Sequence, residues 1–383
     1  MLPRMTRKLA DVLQWLERIA PLGLAEDWDN VGLVLEPSAS AEQDIKRLFL
    51  CIDLSESVLS EALELGANLV LAYHPPIFRG LKRLRASSAE ERVLVRALEA
   101  GLAVYSPHTA LDAAHGGVND WLARGVGEGR CTPLVPSPSK QSAELKLVVF
   151  VPRSHVAQLR SALSQELGAG SVGNYSECSY ELDGHGSFFG NDSATPAVGE
   201  RGKLEHVAEV RLEMRCPASA VKELARVIAA HHPYEEPAWD LYPLVPAALP
   251  NPVGAGRLLE LDTPITVAEA VTRLKAHLGV STLRVAHAER HQAGALLKRV
   301  ALCAGAGGSL FEAVRGVDLF VTGELRHHDV LAKVRAGSSV ILSEHTHTER
   351  GFLPELARRI SELAGNSVQV LVSQRDADPL RTV

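Results

Sequence analysis

Apolar and polar positions along this chain change rhythm at regular intervals. Leu9, Val12, Leu13, Leu16 and Ile19 repeat at helical spacing and predict an amphipathic first helix. Short apolar runs follow, "RLFLCIDL" (residues 47–54), "NLVLAY" (68–73) and "LAVYSPH" (102–108), each with the pattern of a strand. Between them "SESVLSEALELG" and "SAEERVLVRALEAG" read as helices, with Ser55 placed to cap the first. This β-α-β-α-β order predicts a parallel or mixed sheet covered by helices.

The texture changes after "CTPLVPSPSKQS" (131–142), a Pro- and Ser-rich stretch that reads as a linker. "ELKLVVFVP", "HVAEVRLEMRCP" and "AWDLYPLV" then alternate as strands with helices at "SHVAQLRSALSQELG" and "ASAVKELARVIAAHHP". In outline this is β-α-β-β-α-β, the split βαβ or ferredoxin-like plan. A second Pro-rich linker (243–256) closes the block, and the first texture returns with "LKRVALCAG", "VDLFVTGE" and "SVILSEH" as strands. Helices are expected at "SLFEAVRG", "HHDVLAKVRAG" and "FLPELARRISELAG". The predicted class is α/β: two lobes from the chain ends (1–135 and 250–383) form one core, with an α+β domain inserted at 143–247.

A chain of 383 residues is long enough for two domains, and its net charge of −6 argues against a nucleic-acid scaffold. The basic stretch "RGLKRLR" (79–85) is the best local exception, a solvated loop being its plainer reading. Five scattered cysteines without a CxxC pair fit a reducing compartment. The charged N-terminus does not read as a signal peptide, and no window approaches a membrane span, so a cytoplasmic protein is expected.

Candidate chemistry gathers where strands end, which is where open α/β sheets bind ligands. His74 follows a buried strand and is locked behind by Pro75 and Pro76. "VYSPHTALDAAHGG" ends its strand with His108 and places Asp112 four residues later. "VILSEHTHTERG" offers Glu344, His345, His347 and Glu349, and "LFVTGELRHHDV" offers Glu324, His327 and His328. His345 and Glu349 would share a helical face, His345 and His347 a strand face. Imidazoles with carboxylates suit zinc, manganese, iron or nickel. "LCAGAGGSLFEAV" (302–314) is either a phosphate-binding turn or tight strand-to-helix packing. "AEDWDNVGLVLE" (25–36) reads as a turn held by Asp29 and Asn30, or as a polar wall of the site.

Together these segments resemble one family. "WDNVGL", "YHPPIF", "YSPHTALDA", "CAGAGGS", "DLFVTGELRHHDVL" and "EHTHTERG" occur in the order found in the dinuclear-metal family named after a yeast NGG-interacting factor, whose bacterial members carry the name GTP cyclohydrolase 1 type 2 homolog. "GNYSECSYELDGHGSF", "PAVGERGKLEHVAEVRLE" and "HHPYEEPAWDLYPL" resemble the insert of its longer bacterial members, similar to the ferredoxin-like copper-tolerance and nitrogen-regulatory trimers. The resemblance implies metal ligands at His74, Asp112, His345 and Glu349 and one or two divalent ions per chain. Tyr73 stands where many members have a first histidine, which implies one firm and one weak ion, with His108 or His347 in place of the missing imidazole.

The resemblance further implies a homo-oligomer, a toroidal hexamer, acting on a small-molecule substrate, nucleotides among the candidates. Metal-assisted hydrolysis is the leading mechanism, with Glu349 bridging the ions and His108 or His347 as general base or acid. The family name implies opening of the GTP imidazole ring with loss of formate. A metal-handling or regulatory protein without hydrolase activity is the alternative.

Overall fold

Strands buried on both faces dominate the centre of the computed structural model, which describes residues 7–38, 44–137, 144–172, 175–244, 253–365 and 367–380. The chain divides into two compact units, residues 1–138 with 250–383 and residues 139–249. Residues 138–142 of the first expected linker and 245–252 of the second lie outside the described residues, and the described parts pair, Val135–Pro136 with Gly254–Ala255.

The first unit contains two sheets. One has the order Gln369–Val372, Arg47–Cys51, Leu69–Ala72, Ala103–Ser106 and Gly32–Leu35, with its first four strands parallel and its last antiparallel. The other runs Arg284–Ala286, Ser339–Leu342, Leu319–Glu324, Leu297–Ala306, Arg257–Ile265 and Gly129–Thr132, with the second to fourth parallel. Alternation sorts each strand between two cores. Leu48, Leu50, Leu69 and Leu71 join Val300, Leu302, Leu319, Val321 and Ile341 in one apolar cluster shared by the two sheets. Phe49, Cys51, Val70 and Ala72 face the helices Glu56–Glu64 and Ala89–Glu99 instead. Both faces are covered, so these strands read as unbroken apolar runs. The two halves of the chain therefore share one core, as expected.

The helices begin where the side chains cap them. Ser55 Oγ accepts from Val58 N at 3.4 Å, and Ser88 Oγ from Glu91 N at 3.2 Å. The expected helix at "SLFEAVRG" is reduced to Gly308–Phe311. Arg257, 1% exposed, ties the halves together: its guanidinium bonds Asp120 and the carbonyls of Ala114, Gly254 and Gly256.

The second unit is a four-stranded antiparallel sheet, Ser179–Phe189, Leu204–Pro217, Glu144–Val151 and Trp239–Pro243 in spatial order. Its helices Val156–Leu167 and Val221–His231 pack on one apolar cluster that includes Leu147, Val149, Leu159, Leu163, Leu212, Leu224 and Ile228. In chain order the sheet is fourth-first-third-second, the split βαβ arrangement.

Candidate metal centre

His74 stands two residues past the end of its strand, yet its backbone continues the parallel ladder. Tyr73 N donates to Cys51 O at 2.9 Å and His74 N to Ile52 O at 3.1 Å before Pro75 ends the pairing. The imidazole is thus held by a strand extension rather than a loop. Its Nδ1 lies 2.9 Å from Asp53 Oδ1. Its Nε2 faces Glu349 Oε2 at 3.5 Å.

His345 repeats the arrangement from the other sheet. Its Nδ1 is 2.8 Å from Glu324 Oε1, and its Nε2 is 3.4 Å from Glu349 Oε1. Glu344, at φ +67, turns the chain out of its strand just before it. Glu349 belongs to the short helix His347–Arg350, is 3% exposed, and its Oε2 has no hydrogen-bond partner. One ligand atom from each of His74, His345 and Glu349 lies within 4.8 Å of the others. Burial alone would pull the His74 imidazole down, but Asp53 and Glu349 outweigh it and hold it at about 10.

His108 completes a set of three imidazoles, each with its Nδ1 on a carboxylate. It begins the helix His108–Ala113 at φ +29, and its Nδ1 is 2.7 Å from Asp29 Oδ1. Such hydrogen bonds fix ring orientation and leave Nε2 for a ligand or a proton. The His108 ring lies 5.4 Å from that of His74 and 5.8 Å from that of Tyr73. Asp112, one turn along the helix, is the acceptor for the Tyr73 hydroxyl. Tyr73 is 1% exposed; burial, with Asp112 and Glu349, pushes its phenol well above the ordinary range, and its hydroxyl donates to Asp112. Burial also raises the Asp112 carboxyl, to about 6, against the opposing Tyr73 hydrogen bond. His108, Asp112, His345 and Glu349 line a cavity of about 500 Å³.

The glycine-rich turn is resolved in favour of close packing. A Cβ on Gly305 (φ +62) would lie 2.8 Å from Glu349 Oε1 and 2.9 Å from His345 Nε2. Its amide, and those of Ala304 and Gly307, are spent on Thr348, Asn119 and Thr322 side chains, which leaves none of the three for a phosphate.

Other strand-end residues lie apart. The strand before His345 ends at Leu342 and His347 opens a helix, so the two do not share a strand face. His347 Nδ1 donates to Ser343 O at 2.7 Å, and the ring is not among the cavity's lining. His327 and His328 are exposed and meet edge-to-face at 5.4 Å. Asp53 is the residue that sequence reading missed; its signal is a carboxylate two residues beyond a buried strand.

A model of the family described as Duf34/NIF3 (NGG1p interacting factor 3) matches residues 7–379. The chain belongs to the DUF34/NIF3 family. It is 36% identical over 380 residues to the NIF3-like protein 1 of Rattus norvegicus, covering 98% of this chain and 93% of that protein. Identity to the GTP cyclohydrolase 1 type 2 homolog of Bacillus subtilis is 34% over 373 residues, 96% of each chain. A solved Bacillus cereus protein related to NIF3 superposes with a TM-score of 0.69 at 29% identity, over 99% of this chain and all of that one. Among the described residues of this DUF34/NIF3 chain, no helix is long and apolar enough to cross a membrane.

The side chains fit a divalent ion on their own account. Two imidazoles and a carboxylate are a donor set for mid-row metals. The buried, unpartnered Glu349 Oε2 and the space kept by Gly305 at the ligand atoms both fit that reading.

Proposed function

We propose that this DUF34/NIF3 chain is a metal-dependent hydrolase. The observation that carries the reading is the trio of carboxylate-anchored imidazoles, two of which face opposite oxygens of one buried Glu349. His74, His345 and Glu349 would hold the firmer ion, and Asp112 would be the carboxylate available to a weaker one. Zinc, manganese, iron and nickel are the candidates. A divalent ion held here would supply an acidified water and a polarised electrophile. The chain's part is proton handling and exclusion of solvent. Asp29 accepts a hydrogen bond from His108 Nδ1–H, so His108 Nε2 is the nitrogen free to take a proton from water and return it to the leaving group. Tyr73 holds Asp112 in place from the buried side.

The cavity has the size of a small-molecule site. The name of the B. subtilis relative makes GTP the first substrate to try, with other nucleotides and phosphoesters after it. The test is to load the protein with each metal and follow formate and phosphate release over that panel. Turnover that His108→Ala abolishes without loss of metal is the expected result. Firm metal binding with no turnover of any compound would favour the metal-handling reading. The toroidal hexamer is checked by the mass of the protein in solution.

A further inference from the structure

Two aromatic rings beside the metal cavity have no part in the core. Trp28 lines the cavity and is 61% exposed; Phe78 is 49% exposed and stands 5.9 Å from it, centroid to centroid, tilted by 55°. Both approach His108 edge-on, at 6.1 and 6.3 Å. Single exposed apolar residues need no explanation, but an adjacent pair at a ligand cavity does.

The backbone beneath these rings is held firmly. Asp29 accepts from Thr109 N at 3.1 Å and from His108 Nδ1, while Glu26 N donates to Thr109 Oγ1 at 3.0 Å. The Asn30 side chain donates to Ile77 O, which ties the Trp28 segment to the Phe78 segment. Both rings are therefore fixed against the helix that carries Asp112. Exposed aromatic side chains on a fixed backbone lose little entropy on binding.

We propose that Trp28 and Phe78 form an aromatic clamp that takes the planar ring of the substrate, and that the class is a heteroaromatic ring bearing an anionic group. The anionic end is read by the segment that leaves Phe78, where Arg79, Lys82, Arg83 and Arg85 are exposed and no acidic residue intervenes. This rests on the hydrolase reading of the metal centre.

The test is a binding measurement on the Mn²⁺-loaded full chain with GTP, ATP and FMN as ring-bearing probes and ribose 5-phosphate as the ring-free control. At least one ring-bearing probe is expected to bind, with its Kd raised roughly fivefold to a hundredfold in Trp28→Ala and Phe78→Ala and restored in Trp28→Phe. Ribose 5-phosphate affinity should not respond to any of these changes. The clamp is overturned if no ring-bearing probe binds, or if affinities in both alanine variants match wild type. It is equally overturned if the variants alter only the oligomer mass, which would mark the rings as a contact between copies. Formate and phosphate release are read separately: ring binding that depends on Trp28 without turnover sinks the hydrolase reading and leaves the clamp standing. Turnover with unchanged KM in Trp28→Ala does the reverse.

Discussion

At Gly305 a single added methyl group would collide with both Glu349 and His345. Gly305→Ala is therefore expected to keep the fold and lower metal affinity more than tenfold, since the backbone is also left-handed there and alanine strains it. Elemental analysis after dialysis checks this, and a variant with wild-type metal content would remove Gly305 from the centre. Tyr73→Phe leaves the buried Asp112 carboxylate without its donor, at a cost of about 1–3 kcal/mol in the metal-free protein. It should also weaken the second ion and spare the first, which a two-site titration reads. The His74 imidazole, held at about 10, is protonated near neutrality in the metal-free state. Metal binding must displace that proton, so affinity should rise about tenfold per pH unit below that value. Calorimetry in buffers of different ionisation enthalpy measures the release; none would mean that His74 is not a ligand. At this scale the sequence shows the ligand types and their strand ends, because a polar residue closing an apolar run stands out. It conceals the partners. Asp53, Asp29 and Glu324 meet their histidines only after distant strands are side by side.

Among the elements, the helix Glu56–Glu64 carries a buried carboxylate that anchors the segment after the strand Gln369–Val372. Glu61 accepts from Ser373 Oγ, Gln374 N at 2.9 Å and Arg375 N at 3.1 Å. Burial pushes this carboxyl up, but the three donors more than reverse that and leave it below its ordinary range. Its stabilisation is accordingly present above the unfolded value near 4.5 and lost as pH falls through the lower folded value. Glu61→Ala should lower stability by about 2–3 kcal/mol at pH 7 and by less in acid, as measured by urea unfolding at both. An equal loss at both values of pH would mean that the charge plays no part. Strongly periodic helices and buried strands were legible beforehand. The strand Ser179–Phe189 was not, because Gly184 and Gly186 interrupt an exposed, mostly polar run. A Cβ at Gly186 would lie 2.2 Å from Glu209 Oε2, so that flexible carboxylate would have to move aside. Gln369–Val372 was too short to read, and only pairing with Arg47–Cys51 makes it a strand.

For the whole molecule, the separate apolar cluster of residues 139–249 supports a domain that can be removed. Excising roughly those residues and joining the ends should leave a soluble first unit that retains its metal. Aggregation of that shortened protein with loss of metal would show that the insert is needed for the core. The insertion was legible from two Pro-rich breaks and a change of texture, whereas the sharing of one core by two sheets depends on packing that no local pattern records. That sharing bears on how the chain is made. His74 is synthesised early, while His345 and Glu349 follow only after the insert, and the edge strand Gln369–Val372 comes later still. A nascent chain can fold the insert while its first lobe still lacks the other half of its core. The metal pocket can close only after His345 and Glu349 have left the ribosome. Ion uptake thus reports that synthesis has passed Glu349, and a product truncated before it should emerge metal-free.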